Sequence, residues 1–221
     1  MLSSLTVAAP AKINLFLHIT GKRDDGYHTL ITRMQKLDLC DSLSLQLTNS
    51  GAVEFSCSDN ALAGRDNLAV RAAGIFLAQS RTLAGMGLRI ELVKNIPVAA
   101  GLGGGSSDAG TTLQALNQLA GEEYSAAELV RMAISLGADV PFFAIAADAV
   151  LATGVGEIMQ PVDSLDNFDF LLVNPGFSVS TAEIFQNFIL TSSAKKSKLA
   201  RLQQRSFSLE TMSNDLEEVT I

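Results

Sequence analysis

Cysteine and histidine are scarce, two of each in 221 residues. The thiols, Cys40 and Cys57, stand in segments of strand character with no CxxC spacing and no histidine cluster around them. That pattern argues against a zinc site and against a disulfide framework, and it leaves two buried free thiols as the expectation. Basic residues are also short, 16 against 23 acidic, for a net charge of −7 and a pI near 4.8. Such a surface repels polyanions, so sequence-independent binding to nucleic acid or to an anionic membrane is disfavoured and any phosphate site must be local. No apolar run approaches the roughly 18 residues of a membrane-spanning helix. Lys12 interrupts the early apolar stretch, and no basic n-region precedes it, so no signal peptide is read and a soluble, cytoplasmic chain is expected. Internal repeats and low-complexity tracts are missing. What is present is 48% hydrophobic content, ample for one large domain or two small ones.

The patterning begins as antiparallel sheet. Ile13, Leu15, Leu17 and Ile19 alternate with Asn14, Phe16 and His18, and Leu43, Leu45 and Leu47 alternate with serine and glutamine, the period of half-buried strands. Between them the polar, glycine-bounded stretch from Gly21 to His28 predicts a loop at the sheet edge. A third strand is expected over Val53–Cys57. Asn67 is placed to cap a helix carrying Leu68, Ala72, Ala73, Ile75 and Phe76, and Leu88–Leu92 alternates as another strand. Leu113, Leu116 and Leu119 mark the face of a further helix. Ser125 with Glu128 forms a capping box for a helix stopping at Gly137, so Asp139 follows a helix end. Further on, Phe168–Val173 predicts a buried strand, and Ser180 with Glu183 a capping box for a helix through Phe188. Five basic residues between Lys195 and Arg205 fall at helical spacing, the mark of a solvated helix face. These elements suggest two domains, 1–160 and 161–221, the second ending without a strand pair to close a sheet.

Chemistry concentrates in Gly101-Leu102-Gly103-Gly104-Gly105-Ser106-Ser107-Asp108, where four glycines in five positions meet two hydroxyls at a helix start. Unpaired N–H groups there, reinforced by the helix dipole, favour phosphate oxygens, and the absence of Cβ atoms lets a ligand approach the backbone. No lysine follows the last glycine, as a Walker A loop requires, and Ser106 occupies the final glycine position of G-x-G-x-x-G. A flexible turn with serine caps is the plainer alternative. Leu136-Gly-Ala-Asp139-Val-Pro141 sets one carboxylate among apolar neighbours, a candidate base or a loop cap. Lys12, in Pro10-Ala-Lys12-Ile-Asn14, opens an apolar strand where its ammonium needs an anionic partner, unless it serves as an edge gatekeeper.

Three runs taken together, Pro10-Ala-Lys12-Ile-Asn14-Leu with Gly26-Tyr27-His28, the Gly101–Asp108 loop, and Leu136-Gly-Ala-Asp139-Val-Pro141, resemble the GHMP kinases. The Asp-Gly-Tyr-His loop, the Gly-Val-Gly-Glu157 turn and Ser180-Thr181 ahead of Ile184-Phe185 resemble the members that phosphorylate a cytidine-diphosphate-bearing methylerythritol in non-mevalonate isoprenoid synthesis. The resemblance runs from Pro10 to about Asp215. It implies an α+β fold, with a β-rich N-terminal domain containing a left-handed βαβ unit and a ferredoxin-like C-terminal domain, incomplete here. It also implies that Asp139 is the base toward the C2 hydroxyl, that Lys12 orients it, and that transfer from ATP, as Mg-ATP, is direct. ATP contacts are implied at Asn67, Pro97, Gly101, Leu102, Gly103, Gly104, Gly105, Ser106, Ser107 and Asp108. Acceptor contacts are implied at Asn14, Tyr27, His28, Asp139, Thr181 and Phe185, with Tyr27 and Phe185 stacking on the cytosine and His28 bonding its edge. No magnesium ligand is assigned. The expected partner is a small molecule carrying cytidine diphosphate; the family's third glycine-rich motif is missing from the C-terminal end, and two alternatives stand beside this reading. One is another GHMP small-molecule kinase, and the other is an inactive nucleotide-binding fragment.

Overall fold

The computed structural model describes residues 3–174, 176, 184, 188 and 212–217. It divides into two compact units: Met1–Lys12 with Leu37–Val98 and Leu102–Ala146, and Ile13–Lys36 with Ala99–Gly101 and Ala147–Ile221. Two long strands, β1 (Ser4–Lys22) and β2 (His28–Thr48), each contribute a stretch to both units.

In the first unit the C-terminal half of β2 pairs antiparallel with β4 (Gly87–Val93), Leu45 opposite Ile90. β4 pairs in parallel with β3 (Val53–Cys57), Phe55 opposite Ile90. β3 and β4 are joined through α1 (Leu68–Gln79), which gives the expected βαβ unit. The strand face carrying Leu43, Leu45, Leu88, Ile90 and Leu92 is buried, as period-2 alternation requires. Against it lie Phe76 of α1 and Leu113, Leu116 and Leu119 of α2 (Gly104–Leu119), all four fully buried. Each such side chain contributes about 1.5–3 kcal/mol by leaving water.

Capping chemistry sets the helix ends. The Asn67 side chain accepts from the Ala69 N–H at 2.9 Å and starts α1. Ser125 and Glu128 form a capping box that opens α3 (Ala126–Ile134). That helix ends at Ile134, a little before Gly137, with Ser135 as its C-cap. The one-turn helix α4 (Val140–Phe143) follows, with Asp139 as N-cap and Pro141 in its first turn, where the missing N–H costs nothing.

In the second unit the N-terminal half of β2 pairs with β5 (Ala149–Gly154), which pairs with β6 (Ile158–Pro161), both antiparallel. Leu17, Ile19, Leu30 and Leu216 pack together there, and an isolated bridge joins Leu17 to Asn214.

Two expectations are corrected. Phe168–Val173 forms no strand, and its Leu171 and Val173 are 90% and 83% exposed. Its composition suits a buried strand, but among the described residues no neighbouring strand pairs with it, so its backbone has no ladder to join there. Cys40 and Cys57 are free but half-buried. The predicted Ser180–Phe188 helix and the basic stretch Lys195–Arg205 lie outside the described residues, apart from Ile184 and Phe188. Among the described residues no helix is long and apolar enough to cross a membrane.

Candidate active site

The glycine-rich loop is built by backbone conformations that side chains resist. Gly101 and Gly103 hold φ of 74° and 72°, and Ala99 adopts 56°. Gly103 is the N-cap of α2 and has no side chain to satisfy the first turn, and the Ser107 N–H closes that turn onto Gly103 O at 2.8 Å. The N–H groups of Gly104, Gly105 and Ser106 thus precede the first intrahelical bond, at the positive end of a 16-residue helix.

The absent Cβ atoms are needed for packing as well. A Cβ on Gly103 would come within 3.1 Å of Lys12 Cγ and 3.2 Å of the Phe143 ring. Lys12 thus runs along the N-cap, and its backbone N–H donates to Leu102 O at 2.9 Å. Its Nζ lies 3.4 Å from Asp139 Oδ2, with the lysine side chain 9% exposed and the carboxylate 40%. A buried ammonium therefore faces a carboxylate that remains open to a reactant. A Cβ on Gly110 would come within 2.5 Å of Phe143 Cβ, so this glycine lets α4 press against α2 and sets where Asp139 stands. Gln114 Nε2 secures the same turn by donating to Phe143 O at 2.6 Å.

The other predicted residues fall as follows. Asn67 caps α1 and donates to Leu62 O at 3.0 Å. Pro97 is exposed just ahead of the loop. Ser106 is half-buried, whereas Ser107 is fully buried with its Oγ unpartnered among the described residues. Asp108 is 1% exposed and points inward to Lys94, Nζ to Oδ2 2.8 Å. Burial, with Asp41 beside it and Lys94 opposing, pushes the Asp108 carboxyl up from 3.8 to about 7.

In the second unit Asn14 Nδ2 donates to Thr32 Oγ1 at 2.8 Å. The Tyr27 ring is 66% exposed on a turn held by Gly26 at φ 88° and by the Arg23 N–H donating to Tyr27 O. His28 is 7% exposed, edge-on to the Phe188 ring at 5.8 Å between centroids. Glu157 accepts from the Val155 N–H at 2.6 Å and so closes its glycine turn. Thr181 and Phe185 lie outside the described residues. Sequence reasoning missed Asp41, Lys94, Gly110 and Gln114. Lys94 carries a legible signal, a lysine closing an alternating strand just before the glycine loop, but nothing local marks Gly110.

Residues 67–147 match the GHMP kinases N terminal domain, which places the loop and Asp139 in a known class of phosphotransferase folds. A homoserine kinase from Cytophaga hutchinsonii shares the fold at TM-score 0.57 and 20% identity, over 91% of this chain and 64% of that one. Similarity is much higher to a 4-diphosphocytidyl-2-C-methyl-D-erythritol kinase of Desulfotalea psychrophila, 53% identical over 97% of this chain and 73% of that protein. The same enzyme of Pelobacter propionicus is 44% identical over 100% of this chain and 78% of its own length. A crystal structure of 4-(cytidine 5'-diphospho)-2C-methyl-D-erythritol kinase superposes at TM-score 0.70, with 35% identity, over 97% of this chain and 76% of that one. The chain belongs to the 4-diphosphocytidyl-2-C-methyl-D-erythritol kinase family within the GHMP kinases.

Proposed function

We propose that this chain phosphorylates the C2 hydroxyl of 4-diphosphocytidyl-2-C-methyl-D-erythritol from ATP, giving the 2-phosphate and ADP in isoprenoid precursor synthesis. The observation that carries the reading is the Lys12–Asp139 pair, with Lys12 running along the N-cap of an uncapped, glycine-rich helix start. Asp139 accepts the hydroxyl proton as the oxygen attacks the γ-phosphorus, and the bond to the bridging oxygen of ADP breaks. Lys12 orients the carboxylate and offsets negative charge developing at the transferring group. Positioning and charge stabilisation supply most of the rate in such transfers, and no phosphoenzyme is needed.

The backbone amides at the start of α2 receive the phosphates, with Leu102 and Pro97 at the loop and Asn67 toward the nucleoside. Magnesium enters as Mg-ATP. No protein ligand to the ion is assigned. Tyr27 stacks on the cytosine and His28 bonds its edge, with Asn14, Thr181 and Phe185 completing the acceptor site. The division at residue 160 into a kinase domain and a partial ferredoxin-like domain, and a cytoplasmic location, belong to the same reading.

The test is ADP release from Mg-ATP with 4-diphosphocytidyl-methylerythritol, mevalonate and homoserine as separate acceptors. Turnover with the cytidylyl acceptor alone supports the reading. Turnover with one of the others refutes the cytidine assignment.

A further inference from the structure

Behind the glycine loop lies a buried ionic cluster that the proposed reaction does not use. Lys94 Nζ contacts Asp41 Oδ2 and lies 2.8 Å from Asp108 Oδ2, and the three side chains are 8%, 0% and 2% exposed. Asp41 Oδ1 accepts from the backbone N–H groups of Asn95, at 2.5 Å, and Ile96, at 2.9 Å. Asp41 therefore grips the chain where it enters the loop, and Asp108 grips it one turn after the loop has become α2. Lys94 joins the two. Its Nζ would stand 3.2 Å from a Cβ on Gly104, so the ammonium lies against the first helical residue and a side chain there would crowd it.

A lysine in this place is electrostatically awkward, because the start of a helix already carries positive potential. Two buried carboxylates offset it. Their arrangement is costly as well, since taking three charges out of water consumes much of what their attraction returns. Asp108 Oδ1 has no hydrogen-bond partner among the described residues, a further cost. For stability alone an apolar cluster of the same volume would serve at least as well. What the ionic version adds is directional bonding to both ends of the loop, at residues 95–96 and at residue 108.

We infer that Asp41, Lys94 and Asp108 form a positioning clip that closes the two ends of the 97–103 loop and fixes its amides for nucleotide phosphates. The inference rests on the proposed kinase reading only for the identity of the anion. The clip residues are positioning residues, acting on the nucleotide through the backbone of the loop. Asp108, which the sequence resemblance places among the nucleotide contacts, thereby acts from behind the loop.

The experiment measures binding of Mg-AMP-PNP by calorimetry, with no acceptor present, alongside melting temperature and steady-state kinetics. Lys94→Met is expected to weaken nucleotide binding by about tenfold or more, the scale of losing one hydrogen bond to a charged group. The KM for Mg-ATP rises with it, while kcat at saturating nucleotide and the KM for the acceptor stay within about threefold. Lys94→Met leaves two carboxylates without their cation; the double variant Lys94→Met/Asp108→Asn removes the one at residue 108, while Asp41 keeps the Asn95 and Ile96 N–H groups as partners. The double variant is expected to recover melting temperature without recovering nucleotide affinity. Unchanged affinity in Lys94→Met, or recovery of affinity together with melting temperature in the double variant, overturns the clip. Should Lys94→Met fail to fold, the double variant decides the matter alone. Because binding is read without acceptor, an error in the acceptor assignment appears only in turnover and is distinguishable from failure of the clip.

Discussion

Lys12 Nζ and Asp139 Oδ2 are 3.4 Å apart, and the two side chains differ sharply in access to solvent, 9% against 40%. The ammonium is held by its surroundings and the carboxylate is offered outward, as an orienting group and a base should be. Asp139→Asn keeps the shape of this pair and removes the proposed base. The expected result is a fall in kcat of about 10²–10⁴-fold with Mg-AMP-PNP affinity little changed. Equal loss of nucleotide binding would mean that Asp139 supports the loop instead of the chemistry.

Gly110 offers a test of how Asp139 is aimed. A methyl group there meets Phe143 Cβ at 2.5 Å and the Phe143 carbonyl carbon at 2.6 Å, and backbone does not yield as a side-chain tip does. Gly110→Ala should cost about 1–3 kcal/mol of stability by overpacking and should lower kcat as α4 is displaced. Thermal unfolding and kinetics on the same preparation check both. Native stability with native kcat would show that the α2–α4 contact does not govern the base.

Tyr27 is exposed, and the proposed function has it stack on the cytosine. Tyr27→Ala should raise the KM for the cytidylyl acceptor about tenfold or more, in keeping with roughly 1–3 kcal/mol per stacked base. Tyr27→Phe should retain most of the affinity, and neither change should alter the KM for Mg-ATP. A shift in the nucleotide KM instead would move Tyr27 out of the cytidine site.

Asp108 makes stability depend on pH. Its carboxyl titrates near 7 in the folded chain against 3.8 ordinarily, so the folded state holds this proton more tightly than the unfolded state does. Its contribution is therefore full below about pH 4, is lost as pH rises toward 7, and is level above that. Subtracting the denaturation profile of Asp108→Asn from that of the unaltered chain should reveal a difference that declines across this window. A difference that stays flat from pH 4 to 7 would contradict the shifted carboxyl.

Much of this was written locally in the chain. Asn67 and the Ser125–Glu128 pair announce helix starts through bonds made within three residues, and Val53–Cys57 alternates apolar and polar residues as a strand does. The glycine loop and the Asp139 segment are legible because so many glycines, or a lone carboxylate among apolar residues, need a reason. The other parts depend on what the chain meets after folding. Phe168–Val173 has strand composition but finds no ladder among the described residues. Asp41 and Asp108 are 67 positions apart, and only the packing of β2, β4 and α2 brings both to Lys94. Gly110 looks like any helical glycine until Phe143 is placed against it.

The most direct test of the central claim is the phosphorus-31 spectrum of the product formed from Mg-ATP and 4-diphosphocytidyl-methylerythritol, with Asp139→Asn in parallel. The account predicts a new phosphomonoester resonance without three-bond proton coupling, as the hydrogen-free C2 requires, formed together with ADP by the unaltered chain and reduced by at least about 10²-fold in Asp139→Asn. Phosphate on a different oxygen, or equal product from both proteins, would contradict it.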